Sequence, residues 1–247
     1  MTEWFTTRHG RMTCLKNDVE FAKAMRNGHI FEEDMVLGQI VPMLNKIEGK
    51  KTILDIGAHI GSHSILYSRY VPDCEIHAFE PQTELYKLLM SNVDANGLSN
   101  VKAYNACVGH SNIGCSMSRM LYDGYDCVIE YNTNKGLNYG GIQLGLGGEK
   151  TNMVTIDSLN LSRCTYMKVD VEGAEPLVFM GALETIRKHK PIIFFEHTDK
   201  TVNAEMKASL SIDFNVPSPL DLLEREGYTI ENIDQNNKLA MPDRTPR

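Results

Sequence analysis

From residue 51 onward the spacing of apolar and polar residues switches repeatedly between the period of a strand and that of a helix. Ile53, Leu54 and Ile56 form a short apolar run, and beyond a glycine-rich turn Ile65, Leu66 and Tyr70 recur at helical spacing after Ser62, a residue able to open a helix. Glu75 to Pro81 (EIHAFEP) predicts a second strand; Leu85, Leu88, Leu89 and Val93 then mark a helical face that Asn96-Gly97 ends. Val101 to Val108 predicts a third strand, Asn152 to Leu159 a return to strand character, Tyr166 to Val171 a central fourth strand and Pro191 to His197 a fifth. Between the last two, Gly173 and Ala174 turn the chain, Pro176 suits a first helical turn, and Leu177, Met180, Leu183 and Ile186 keep helical spacing. Ser218, Pro219 and Asp221 signal a further helix, and Gly227 to Asp234 with Lys238 to Met241 predict a closing antiparallel pair. Such alternation calls for an α/β fold, a parallel sheet with helices on both faces whose ligands bind beyond the carboxyl ends of the strands. Asn105 to Gly109, Ala106 included, then fall near a bound ligand.

Two stretches leave this rhythm. Residues 1–50 read as an N-terminal cap on a main domain spanning 51–247. In the cap, Asp18 can open a helix carrying Val19, Ala22 and Met25, and a second helical stretch through Val36, Leu37, Ile40, Val41 and Leu44 is disturbed by Pro42. Glu32, Glu33 and Asp34 suit the first turn of that helix, where acids complement the dipole; one of them can instead reach an ammonium group on a ligand. The second stretch, about residues 110–150, is rich in Gly and Tyr (Tyr122, Tyr125, Tyr131, Tyr139) and reads as a strand-and-loop insertion overhanging the site, or equally as a surface loop. Thr198 to Asn215 reads as a polar loop able to act as a lid.

Composition narrows the classes. With 247 residues, 42% of them hydrophobic, and a mean hydropathy of −0.27, the chain can bury one sizeable core. Its apolar runs are far shorter than the roughly 20 residues of a membrane helix, and MTEWFTTRHGR lacks the pattern of a signal peptide. Six scattered cysteines without a CxxC pair fit reduced thiols and a cytoplasmic location. A net charge of −7, with only short basic clusters, argues against a nucleic-acid partner.

The turn after the first strand, TILDIGAHIGSHS (52–64), lets backbone approach a ligand. Its glycines read G-x-x-x-G, not the G-x-G-x-x-G of a dinucleotide site, and Asp55 just before them would repel phosphate. S-adenosylmethionine carries a sulfonium and an ammonium instead, so an acid beside the turn suits it, and Glu80 at the end of the second strand supplies an acid for its ribose. His59 and His63 flank the turn, one in the loop and one in the helix, a placement that favours cofactor packing or hydrogen bonding over shared metal ligation.

Lys168, Asp170, Glu172, Glu175, Glu196 and His197 fall at or just past the ends of two adjacent central strands. Three readings of this group stand side by side. A divalent cation, Mg or Mn, held by Asp170, Glu196 and His197 would lower the pKa of an acceptor hydroxyl. Alternatively a carboxylate or His197 acts as a metal-free general base. In the third, Lys168 pairs with a nearby acid and the rest face solvent.

Taken together, LDIGAHIGSHS (54–64), HAFEP (77–81), NACVG (105–109), VTIDSL (154–159), MKVDVEGAEPLVFMGA (167–182) and KPIIFFEH (190–197) resemble the FkbM-type S-adenosylmethionine-dependent methyltransferases. The resemblance implies a class I methyltransferase fold: a Rossmann-like, mostly parallel seven-stranded sheet with helices on both faces, here with an N-terminal helical cap and an insertion before the fourth strand. It also implies methyl transfer to an oxygen, often that of a sugar or another small molecule. By position, Asp55, Gly57, Ala58, His59 and Gly61 would surround the methionine part, Glu80 the ribose, Asn105 and Ala106 the adenine side, and Asp170 and Glu172, with His197, the reacting end. A nucleic-acid amino methyltransferase would carry an Asn/Asp-Pro-Pro-aromatic motif where this chain has Asp170-Val171-Glu172-Gly173. A non-catalytic cofactor-binding module is the other alternative.

Overall fold

A computed structural model describes residues 2–120, 136–198 and 201–243. Tyr122, Tyr125, Cys127 and Tyr131 lie outside the described residues. The chain opens not on a helix but on an antiparallel hairpin, β1 (Thr2–Thr7) and β2 (Gly10–Leu15). The outer edge of β2 meets a helix rather than a strand. Asn92 accepts from the Thr13 N–H (2.6 Å) and donates to the Thr13 carbonyl (3.0 Å), and Asn96 treats Arg11 the same way at 3.2 and 2.7 Å. Two asparagines four apart on one helix face thus stand in for a missing strand. Helix Val19–Arg26 follows, as the apolar spacing predicts; the next helical stretch contains a π-turn at Val36–Ile40, directly ahead of Val41–Asn45 with its Pro42.

β3 (Lys51–Ile56), β4 (Cys74–Phe79) and β5 (Val101–Tyr104) begin the main sheet. The third strand is shorter than predicted, because Asn105 turns its amide to the carbonyls of Glu80 and Pro81 (3.0 Å each) and the chain leaves the sheet. β6 (Cys107–Val108), β7 (Ile113–Ser118) and β8 (Gly147–Val154) form a separate three-stranded sheet in the order β6-β8-β7, the strand part of the insertion. Strand character therefore ends at Val154. Beyond it Asp157 accepts from the Thr185 N–H (2.8 Å) and the Glu184 N–H (3.1 Å), holding the start of helix Leu183–His189.

β9 (Tyr166–Val169), β10 (Ile192–Glu196), β11 (Tyr228–Asn232) and β12 (Asn237–Pro242) complete a seven-stranded sheet ordered β11-β12-β10-β9-β3-β4-β5. The five strands from β10 to β5 run parallel; β12 runs against both its neighbours. Alternating side chains of β3 serve opposite faces. Ile53 joins a core with Ile65, Leu66 and Tyr166, whereas Leu54 and Ile56 join another with Val169, Phe179 and Phe195. Met12, Phe21, Val36 and Ile40 bury into the first of these cores, so residues 1–50 pack as part of the same body. The polar stretch after β10 contains a short helix, Ala204–Ser209, N-capped by Asn203. Among the described residues no helix is long and apolar enough to cross a membrane.

Candidate active site

Parallel registers bring the carboxyl ends of β3, β4 and β9 level: Asp55 stands opposite Ala78 on one side and Lys168 on the other. The turns leaving β3 and β9 then touch. Gly57 has φ +78°, and a Cβ there would lie 1.8 Å from the Asp170 carbonyl, so only glycine fits. Above this contact opens a cavity of about 320 Å³.

Asp55 is fully buried beneath the turn and does not line the cavity; it accepts from Ser64 Oγ (2.6 Å) and sits 3.8 Å from Lys168 Nζ. Lys168 donates to the Gly57 carbonyl (2.7 Å) and lies 3.3 Å from Asp170 Oδ2. Burial works against its charge, but Asp170 and Asp55, with Glu32, outweigh that and raise its pKa. A buried ammonium and carboxylate thus brace the turn from below. Ala58 and Gly61 shape it without lining the cavity, Gly61 at φ +87° packing against Leu89.

His59, in a left-handed conformation (φ +52°), lines the cavity. Its N–H donates to Glu80 Oε2 (2.9 Å), and its ring stacks on Phe21 with centroids 4.0 Å apart. Nε2 is 3.3 Å from Asp18 Oδ2, at an angle too poor for a hydrogen bond. His63 Nε2 is 3.1 Å from Glu32 Oε2. Both histidines thus face acids of the N-terminal segment. Glu80 also accepts from the Gln82 N–H (2.9 Å), and burial raises its pKa; the carboxylate is turned toward the loop backbone, beneath the cavity wall. Asn105 braces that loop, while Ala106, Cys107 and Val108 line the cavity itself. Cys107 Sγ is 3.0 Å from Cys115 Sγ.

At the other end stand Asp170, Glu172 and Glu196, each able to place an oxygen within 4.8 Å of the others. The structure brings Asp170 and Glu196 together with Glu172, not with His197. The His197 ring is outside the cavity lining and the residue's N–H donates to the Asn236 carbonyl (2.7 Å); neighbours on an extended segment point to opposite sides, so Glu196 and His197 cannot share one site face. Burial, helped by Lys238, lowers the His197 pKa. Glu172 takes φ +58°, and its carbonyl accepts from Gln143 Nε2 (2.7 Å), whose Oε1 accepts from Asn203 Nδ2 (3.0 Å). Insertion and post-β10 segment therefore meet at the β9 turn. Glu175, buried, accepts from the Val171 and Gly173 N–H groups (3.0 and 3.3 Å), and burial pushes its pKa up to about 8.

Several lining residues carry no sequence signal for a site. Phe21 and Phe31 read as helix core, Gln82 as the residue before a helix, and Asn236 and Asn237 as a hairpin turn. Asp234 fixes that last turn by accepting from both their N–H groups at 2.8 Å.

A model of the FkbM methyltransferase domain matches residues 55–229. The chain belongs to the FkbM methyltransferase family. Its sheet order, with β12 antiparallel between β10 and β11, gives this FkbM chain the class I methyltransferase fold. It is 26% identical over 145 residues to Methyltransferase 1 of Beauveria bassiana (strain ARSEF 2860), a match covering 52% of this chain and 57% of that relative. The chain therefore spans just over half the length of the curated relative it matches. Among solved structures, the FkbM methyltransferase of Methylobacillus flagellatus aligns with 18% identity and a TM-score of 0.48 over 78% of this chain and 43% of its own. A SAM dependent methyltransferase from Aquifex aeolicus aligns at 12% and 0.42 over 85% and 93%. The family match leaves residues 1–54 uncovered, although Glu20, Phe21, Phe31 and Glu32 line the cavity.

Proposed function

We propose that this FkbM protein is an S-adenosylmethionine-dependent O-methyltransferase whose acceptor is a hydroxyl of a sugar or glycan. One observation carries the reading: the Gly57 turn and three carboxylates share a single cavity at the ends of β3, β9 and β10. Its chemistry suits the cofactor. Acids at both ends complement a sulfonium and an ammonium, while Ile56, Phe79, Ala106 and Val108 give an apolar wall for a purine. S-adenosylmethionine supplies an already activated methyl group, so the protein's tasks are alignment and proton uptake.

Gly57 and His59 shape the floor, and Phe21 stacks on His59 and lines the same cavity. Glu80, beneath the cavity wall, fixes through its two backbone bonds the loop against which the ribose lies. Asp170, beside Lys168, and Glu172 and Glu196 are the carboxylates of the reacting end, and Glu172 or Glu196 takes the acceptor's proton. Asn138, Asn236 and Asn237 offer amides to neighbouring hydroxyls. A second reading, in which Asp170, Glu172 and Glu196 hold Mg or Mn, is favoured by the 4.8 Å grouping.

The test is transfer of label from methyl-labelled S-adenosylmethionine to a panel of glycans, glycosylated lipids and small polyols, before and after dialysis against a chelator. Label on a sugar oxygen is expected. Undiminished turnover after dialysis would eliminate the metal, and label found solely on nucleic acid would overturn the acceptor class. Glu172→Gln and Glu196→Gln are each expected to lower turnover by roughly 10²-fold or more with cofactor binding retained.

A further inference from the structure

We infer that Glu32, delivered by the N-terminal segment to a position beside His63, receives the ammonium group of the cofactor's methionine part. This assignment rests on the methyltransferase reading above and names a binding residue outside the segment that the family match covers.

The acid that sequence spacing places beside the ammonium is Asp55, but its carboxylate lies under the turn, held by Ser64 and facing Lys168. The cation-binding acid at the Gly57 end of the cavity must come from elsewhere. Glu32 meets the requirement. It lines the cavity together with Gly57 and His59, and its charge is felt at Lys168, whose ammonium bonds the Gly57 carbonyl.

Two features mark Glu32 as placed rather than incidental. Its backbone is left-handed (φ +59°), a conformation disfavoured for a side chain of this size. The adjacent acid takes the structural work: Glu33 is buried, pairs with Arg8, binds His29 Nδ1 (2.6 Å) and the Ile30 N–H (2.6 Å), and lies 3.0 Å from His9 Nε2. With Glu33 anchored inward, the left-handed turn sends Glu32 into the cavity. There Oε2 lies 3.1 Å from His63 Nε2, an ion-pair contact that leaves acceptor positions open on a carboxylate able to accept about four hydrogen bonds. The imidazole beside it keeps the carboxylate at the cavity wall, where an ammonium can reach it.

The experiment compares two thioether ligands by isothermal titration calorimetry. S-adenosylhomocysteine carries the amino-acid part, 5′-methylthioadenosine lacks it, and neither bears the sulfonium charge. Glu32→Gln is expected to weaken S-adenosylhomocysteine binding by roughly 10-fold or more, in line with loss of a charged hydrogen bond, with 5′-methylthioadenosine affinity changed less than about twofold. Glu32→Gly relieves the left-handed backbone, so it tests the same loss without a folding penalty. His63→Gln is expected to give a smaller loss in the same selective direction. Equal weakening of both ligands by the Glu32 variants, or no weakening of either, would overturn the assignment while wild-type binding leaves the methyltransferase reading standing. Wild-type protein that binds neither ligand would remove both.

Discussion

Gly57 is the residue on which the site turns. Replacing it with alanine drives a methyl into the Asp170 carbonyl and forbids φ +78°. Gly57→Ala is expected to separate the β3 and β9 turns, abolishing measurable S-adenosylhomocysteine binding in calorimetry and lowering the melting temperature. Glu175 illustrates a cost of building a turn from a buried acid. Its pKa of about 8 in the fold exceeds the value of about 4.5 in an unfolded chain, so the native state binds the extra proton. Its contribution is complete below pH 4.5 and fades as pH rises through about 8, at a rate of at most about 1.4 kcal/mol per pH unit. Glu175→Gln keeps an acceptor for Val171 and Gly173 but does not ionise. Thermal melts from pH 5 to 8.5 are expected to show a smaller decline for this variant than for wild type; parallel curves would contradict the buried carboxyl's role. At this scale the sequence shows where acids stand but not their directions: Asp55 lies at the end of one strand and Asp170 just past its neighbour, yet one points beneath the turn and the other lines the cavity.

Among elements, the parallel strands and their helices were legible because burial on both faces leaves continuous apolar runs such as IIFF, bounded by turn residues. The opening hairpin was not. In TEWFTT the bulky Trp4 and Phe5 are adjacent, which blurs the two-residue period, and the groups that satisfy the β2 edge are amides about eighty residues further along. Asn92 also donates to the Ile60 carbonyl (2.8 Å), linking hairpin, helix and glycine turn. Asn92→Ala would orphan three buried backbone groups and is expected to cost about 3 kcal/mol, a fall in melting temperature of roughly 10 °C for a chain this long. The structure separates His197 from Glu196 for a related reason. Adjacency to Glu196 in sequence looks like a shared site, whereas strand geometry sends neighbours apart.

For the whole molecule, the parallel α/β layering could be anticipated from alternation and the seven-stranded sheet from the family resemblance, but the outline of the cavity could not, since its walls come from segments distant in sequence: 20–32, 138–144, 170–174 and 236–237. Hydrogen exchange should report this arrangement. S-adenosylhomocysteine is expected to slow exchange together in residues 18–33 and 57–63, two segments joined by the Phe21–His59 stack and the Glu32–His63 pair; protection confined to the second would detach the N-terminal segment from the site. A cavity walled by residues as far apart as Glu20 and Asn237 also ties ligand binding to the folding of nearly the whole described chain. The recess is complete only once Asn236 and Asn237, where the chain turns from β11 into β12, take their place in its wall.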